Sequence, residues 1–166
     1  DEAHERAVAA RGMAAAAEIL QGGDDGYTLV ITNVPYLGRG SQSDGLKAFA
    51  ETNYKEAKAD LATVFIARML RWVGDGRNET PAGTVAAVTP QNWLFLTSYK
   101  KLRERLLKER SWEMVARLGP GAFETIGGHV VNVALLGISG GKADKDHIMT
   151  GVDVSAATPA AAKAAL

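Results

Sequence analysis

The sequence contains no cysteine. That excludes a disulfide framework, a zinc knuckle and a thiol nucleophile, and it fits a reducing compartment. No apolar run approaches the roughly 20 residues that a membrane-spanning helix needs. Net charge is missing too, because 19 basic residues balance 19 acidic ones. The chain therefore lacks the overall basic footprint of a self-sufficient nucleic-acid-binding domain. Its one dense basic cluster is Lys100, Lys101, Arg103, Arg105, Lys108 and Arg110, either a solvated face or a surface that meets phosphates. His4, His129 and His147 have no ligand-like spacing, so no metal site is expected. The opening Asp-Glu-Ala-His-Glu-Arg is too charged for a signal peptide, and a cytoplasmic location is expected.

What is present suits a globular domain. The 166 residues are 46% apolar and 23% charged, enough to build a core. Residues 1–20 are rich in alanine and other strong helix formers, with Gly22-Gly23 as a stop, and read as a helix. Tyr27 to Thr32 is a short, β-branched apolar run, expected as a strand covered on both faces. It ends at Asn33-Val34-Pro35-Tyr36, because proline cannot continue a central strand.

Asp60 to Val73 reads as the next helix, with Leu61, Phe65, Met69 and Val73 at every fourth position. Thr84 to Thr89 is a second buried strand, stopped by Pro90. Residues 97–110 form an amphipathic helix, with Leu102, Leu106 and Leu107 expected inward. Trp112 to Leu118 and His129 to Ile138 read as two further strands, too close together for a helical crossover and so antiparallel. This order implies an α/β fold with a mostly parallel sheet and an antiparallel last strand. Residues 1–139 read as one unit, and 140–166, polar and then Ala-rich, as a linker or the start of a next region.

Ligands of open α/β sheets bind beyond the carboxyl ends of the strands, which is where Asn33-Val34-Pro35-Tyr36 falls. The chemistry of such a tetrad suits an exocyclic amine. The amine's lone pair is delocalised into the ring, so the nitrogen is a poor nucleophile. A side-chain carbonyl and a neighbouring backbone carbonyl can accept its two N–H groups and aim the nitrogen, and neither needs an unusual pKa. Proline holds the turn, and an aromatic ring can stack on a base that has been flipped out of a duplex.

The tetrad resembles the Asn-Pro-Pro-Tyr motif of amino-methyltransferases. The resemblance continues through Asp60-Leu61-Ala62-Thr63-Val64-Phe65, Val88-Thr89-Pro90-Gln91-Asn92-Trp93-Leu94 and Leu118-Gly119-Pro120-Gly121-Ala122-Phe123 with Gly127-Gly128. Together these span roughly residues 27–138, and the set is similar to large bacterial adenine-specific DNA methyltransferases of restriction and phage-exclusion systems. The resemblance implies part of a class I S-adenosylmethionine-dependent, Rossmann-like fold. It implies that Asn33 and the Val34 carbonyl accept the target amine's protons, that Pro35 shapes the loop and that Tyr36 stacks on the adenine. Phe123 would touch the base from another side, and Asp60 would lie near the cofactor's adenosine end. S-adenosylmethionine is the implied cofactor; double-stranded DNA and other subunits of a defence system are the implied partners.

Two departures from that pattern stand out. Val34 replaces the motif's first proline, keeping the carbonyl but leaving φ free. Gly22-Gly23-Asp24-Asp25-Gly26 follows a helix and precedes a strand, the reverse of a cofactor-binding turn. The cofactor half of the fold is therefore expected to lie upstream, and this stretch alone is expected to be inactive. Blander roles stay open at this level. Asp60 suits a helix N-cap, Phe123 a core plug and Trp93 buried packing. The tetrad also suits methylation of a protein glutamine amide or an RNA base, or a non-catalytic DNA-binding piece.

Overall fold

The computed structural model describes residues 26–77, 81–120 and 131–156. Five strands form within them: β1 (Leu29–Asn33), β2 (Thr84–Pro90), β3 (Ser111–Gly119), β4 (Val133–Ser139) and β5 (Thr150–Asp153). They build one sheet in the order β1-β2-β4-β3-β5. β1 and β2 pair in parallel, as do β3 and β5, whereas β4 is antiparallel to both β2 and β3. Four of these strands thus share a direction and β4 opposes them; the sequence reading anticipated a mostly parallel sheet and the antiparallel pairing of β3 with β4, but not β5. The cause is the connections. Helices separate β1 from β2 and β2 from β3, giving room for parallel crossovers, while the shorter connection of residues 120–132 joins the antiparallel β3 and β4. The exposed β5 comes from the stretch after residue 140, where the sequence offers no strand-like run.

Among the described residues three α-helices accompany the sheet: α1 (Asp44–Asn53), α2 (Leu61–Met69) and α3 (Lys100–Glu109). Ser43 caps α1 by accepting from the Leu46 N–H at 3.4 Å. α2 is apolar on most of its surface, and Ala62, Val64, Ile66, Ala67 and Met69 are all buried. They pack with Val85 and Ala87 of β2, Leu136 and Ile138 of β4, and Trp112 of β3. Leu102 and Leu106 bring α3 into the same core. Leu107 does not follow them: it is 61% exposed, because one residue beyond Leu106 is about 100° around the helix.

The strand expected from His129 begins at Val133 in the described residues. The helix read over residues 1–20 lies outside them. β1 corrects a second expectation. Val30 packs against the core, but Leu29 and Ile31 are 52% and 74% exposed. Alternate strand residues face opposite sides of a sheet, and in β1 only one side is covered. A β-branched apolar run announces a strand without telling how many of its faces are buried.

Candidate active site

The carboxyl ends of β1, β2 and β3 share one edge of the sheet. Asn33 is the last residue of β1, and its side chain is exposed there. Val34 is 2% exposed and sits in the core. Its N–H donates to the Val88 carbonyl at 3.2 Å, carrying the ladder one residue past the strand. Burial and that bond fix the position that a proline would otherwise have fixed through φ. Pro35 is exposed and ends the pairing. Tyr36 lies half-buried against the core, with its hydroxyl buried and without a hydrogen-bond partner among the described residues. Burial pushes the Tyr36 phenol up, and the negative charge of Asp60 adds to the shift.

Asp60 is the junction of this edge. Its Oδ1 accepts from the Ala62 N–H at 2.8 Å, the N-cap of α2, and from the Leu37 N–H at 3.4 Å. The Leu61 N–H in turn donates to the Leu37 carbonyl at 3.0 Å, and Arg39 donates to the Ala59 carbonyl at 2.9 Å. Gly38 and Asp60 form an antiparallel bridge. The buried Gln42 adds an Nε2 bond to the Leu37 carbonyl at 3.0 Å. The segment after the tetrad is therefore stitched, bond by bond, to the start of α2. Tyr99, buried just before α3, has its phenol raised by burial and then by the same Asp60 charge.

The neighbouring turn after β2 is more closely bonded, with the buried Gln91 Oε1 as its orphan among the described residues. Thr89 is fully buried, and its Oγ1 donates to the Pro90 carbonyl at 2.8 Å and accepts from the Trp93 indole N–H at 2.8 Å. Arg103 donates to the carbonyls of Trp93 and Leu96, both at 2.7 Å. Of the residues singled out by sequence, the structure brings Asn33, Val34, Pro35, Tyr36 and Asp60 to one edge. Phe123 lies outside the described residues. Gln42 and Tyr99 were missed. Gln42 stands in a Gly- and Ser-rich stretch with no periodicity to mark it, and Tyr99 fell inside the helix read over residues 97–110, where only its aromatic ring could mark it.

The arrangement matches known proteins. A family model described as Eco57I restriction-modification methylase matches residues 3–122. The adenine-specific methyltransferase PglX of Lacticaseibacillus casei (strain Zhang) is 39% identical over 107 residues, 63% of this chain and 8% of that protein. The adenine-specific methyltransferase BrxX of Escherichia coli O9:H4 (strain HS) is 34% identical over 105 residues, with the same shares. The chain thus spans about 8% of the length of these curated relatives. Among solved structures, the Type IIL restriction-modification enzyme MmeI in complex with DNA superposes with a TM-score of 0.55 at 20% identity, covering 70% of this chain and 16% of that one. That last likeness is one of fold.

Proposed function

The chain belongs to the Eco57I restriction-modification methylase family, and we propose that the protein carrying it methylates the N6 amino group of an adenine flipped out of double-stranded DNA. One observation carries the reading. An exposed asparagine side chain ends a strand at the carboxyl edge of the sheet, next to a backbone held in place by the buried Val34. Both curated relatives are named as adenine-specific methyltransferases, and that agrees with it.

The roles follow from the chemistry of the groups. The Asn33 side-chain carbonyl and the Val34 backbone carbonyl accept the amine's two N–H bonds and aim its nitrogen. Pro35 turns the chain away, and the ring of Tyr36 offers a stacking surface for the base. Phe123, by the same resemblance, contacts the base from another side. S-adenosylmethionine, when bound, supplies the electrophilic methyl group. The described residues fit one side of it. Asp60 uses Oδ1 for its two backbone bonds, leaving Oδ2 to face the adenosine end. The methylated nitrogen then sheds a proton to water, so no side chain here needs to act as a general base.

Recognition of the duplex falls mainly to parts of the protein outside these residues. The basic cluster on α3 is partly engaged within the fold, since Arg103 holds two carbonyls and Arg105 pairs with Glu56 at 2.6 Å. Lys100, Lys101 and Lys108 remain exposed and suit contacts with phosphate. The setting is a cytoplasmic restriction or phage-defence system, working with partner subunits. No helix among the described residues is long and apolar enough to cross a membrane.

Tritiated-methyl transfer by the full protein tests the reading, with duplex DNA, RNA and a glutamine peptide offered in parallel. Incorporation into DNA adenine, lost in Asn33→Ala at unchanged cofactor affinity, is the expected result. Label that goes only to RNA or peptide, or that survives Asn33→Ala in DNA, refutes it.

A further inference from the structure

In a parallel ladder a residue donates its N–H to the carbonyl one step before its neighbour and accepts, at its own carbonyl, from the N–H one step after it. Asn33 lies beside Val88, so the next pair in register is Val34 beside Thr89. The first half of that pattern is present, as the Val34 N–H donates to the Val88 carbonyl at 3.2 Å. The second half falls to the N–H of residue 90. Residue 90 is proline and has none.

A proline in this place needs an explanation. β2 is an interior strand, with β1 on one side and β4 on the other, and prolines in sheets belong to edges, first residues and bulges. The other side of β2 loses nothing, because the Gln91 N–H bonds to the Asn132 carbonyl at 2.8 Å and continues the pairing with β4. Backbone strain is absent as well, since φ at Pro90 is −60°, the value its ring prefers. Thr89 Oγ1 holds the Pro90 carbonyl, and the buried Trp93 holds Thr89. The residue is firmly placed, and the only bond it withholds is the one directed at the Val34 carbonyl.

We infer that Pro90 is a positioning residue: by lacking an N–H, it keeps the Val34 carbonyl free to accept the target amine. The inference rests on the proposed role of that carbonyl in methyl transfer. With an ordinary amide at position 90, the ladder would run one rung further and occupy the acceptor. The amine would then compete with a bond already made, or share the carbonyl through its second lone pair.

Because φ of −60° suits alanine equally, Pro90→Ala adds the N–H with the backbone in place. Hydrogen-exchange mass spectrometry on the full protein should show one additional slowly exchanging amide in a peptide spanning residues 85–92. The single-turnover rate of methyl transfer to duplex DNA should fall about three- to tenfold, the equivalent of one net hydrogen bond. Cofactor affinity should not change. Lactic acid at position 90, introduced by nonsense suppression, has alanine's side chain and no N–H, and should restore the rate; a merely structural proline would give no such rescue. If Pro90→Ala destabilises the fold, Pro90→Val carries the same N–H on a better strand former. A new amide that exchanges freely overturns the inference and leaves the role of the Val34 carbonyl standing. A protected amide with undiminished transfer shows that the carbonyl is not the acceptor, and both fall together.

Discussion

The turn after β1 and the turn after β2 leave the same edge of the sheet side by side, each through a proline, and they differ in how far their polar groups bond to one another. After β2, the Thr89 hydroxyl, the Trp93 indole and the carbonyls of Pro90, Trp93 and Leu96 are bonded to one another or to Arg103. Trp93 is 1% exposed. After β1, the Asn33 side chain is exposed and the Tyr36 hydroxyl has no partner among the described residues. Buried polar groups in folded proteins are nearly all satisfied, and exceptions call for a reason. After β2 the orphan among the described residues is the buried Gln91 Oε1, and the bonded network around the buried Trp93 serves as scaffold. The open turn is the one that can bind.

This contrast yields opposite mutational signatures, and the largest belongs to the more closely bonded turn. Trp93→Ala should lower unfolding stability by about 3–5 kcal/mol, through a cavity in the core and the loss of the bond to Thr89. Urea unfolding measures it. Asn33→Ala should do the reverse. Removing one preorganised contact to the reacting group should slow methyl transfer roughly 100- to 1000-fold, while an exposed substitution moves stability by no more than about 0.5 kcal/mol. Stability lost at Asn33, or kept at Trp93, would erase the distinction between the two turns.

Much of this edge was legible in the sequence because it is encoded locally. The β-branched run before Asn33, the two prolines and the apolar spacing of α2 each act through neighbours a few residues away. Asp60 as a helix cap and Trp93 as buried packing were legible for the same reason. What stayed hidden depends on contacts distant in sequence. The bond from Leu37 to Asp60 crosses 23 residues, and β5 pairs with β3 across a stretch with no strand-like pattern. The exposure of Leu29 and Ile31 is likewise set by what lies against β1, which no property of Leu29-Val30-Ile31 reveals.

The seam between the open loop and α2 should give an intermediate effect. Asp60→Ala removes an N-cap and the anchor of Leu37, and should cost about 1–2 kcal/mol of stability. Asp60→Asn keeps a side-chain oxygen for both bonds and should recover most of that loss. If transfer drops in Asp60→Ala and returns in Asp60→Asn, the carboxylate works by placing the loop. If Asn fails to rescue, the charge itself is needed, and cofactor titration of both variants will show whether the adenosine end requires it.

The smallest expected effect has the opposite sign, and it concerns Tyr36. A buried hydroxyl with no partner is a liability of about 1–3 kcal/mol in desolvation, so Tyr36→Phe should leave stability unchanged or raise it by up to about 1 kcal/mol. Transfer should persist, because stacking needs a ring and not a hydroxyl. Tyr36→Ala should lose it by the equivalent of roughly 1–3 kcal/mol. The pH dependence gives a second handle. Burial, and then Asp60, raise the Tyr36 phenol above its ordinary value of about 10. The folded protein therefore keeps a proton that the unfolded chain gives up. That contribution to stability is fully present below about pH 10 and is lost as pH rises through the folded-state value. Denaturant midpoints taken from pH 9 upward should thus decline less steeply in Tyr36→Phe than in the wild type, with Tyr99, whose phenol is raised in the same way, sustaining the remaining slope. An unchanged slope would mean that the hydroxyl meets water in solution. Transfer as poor in Phe as in Ala would mean that the hydroxyl, rather than the ring, meets the base, and the open turn would then have a polar role at both of its ends.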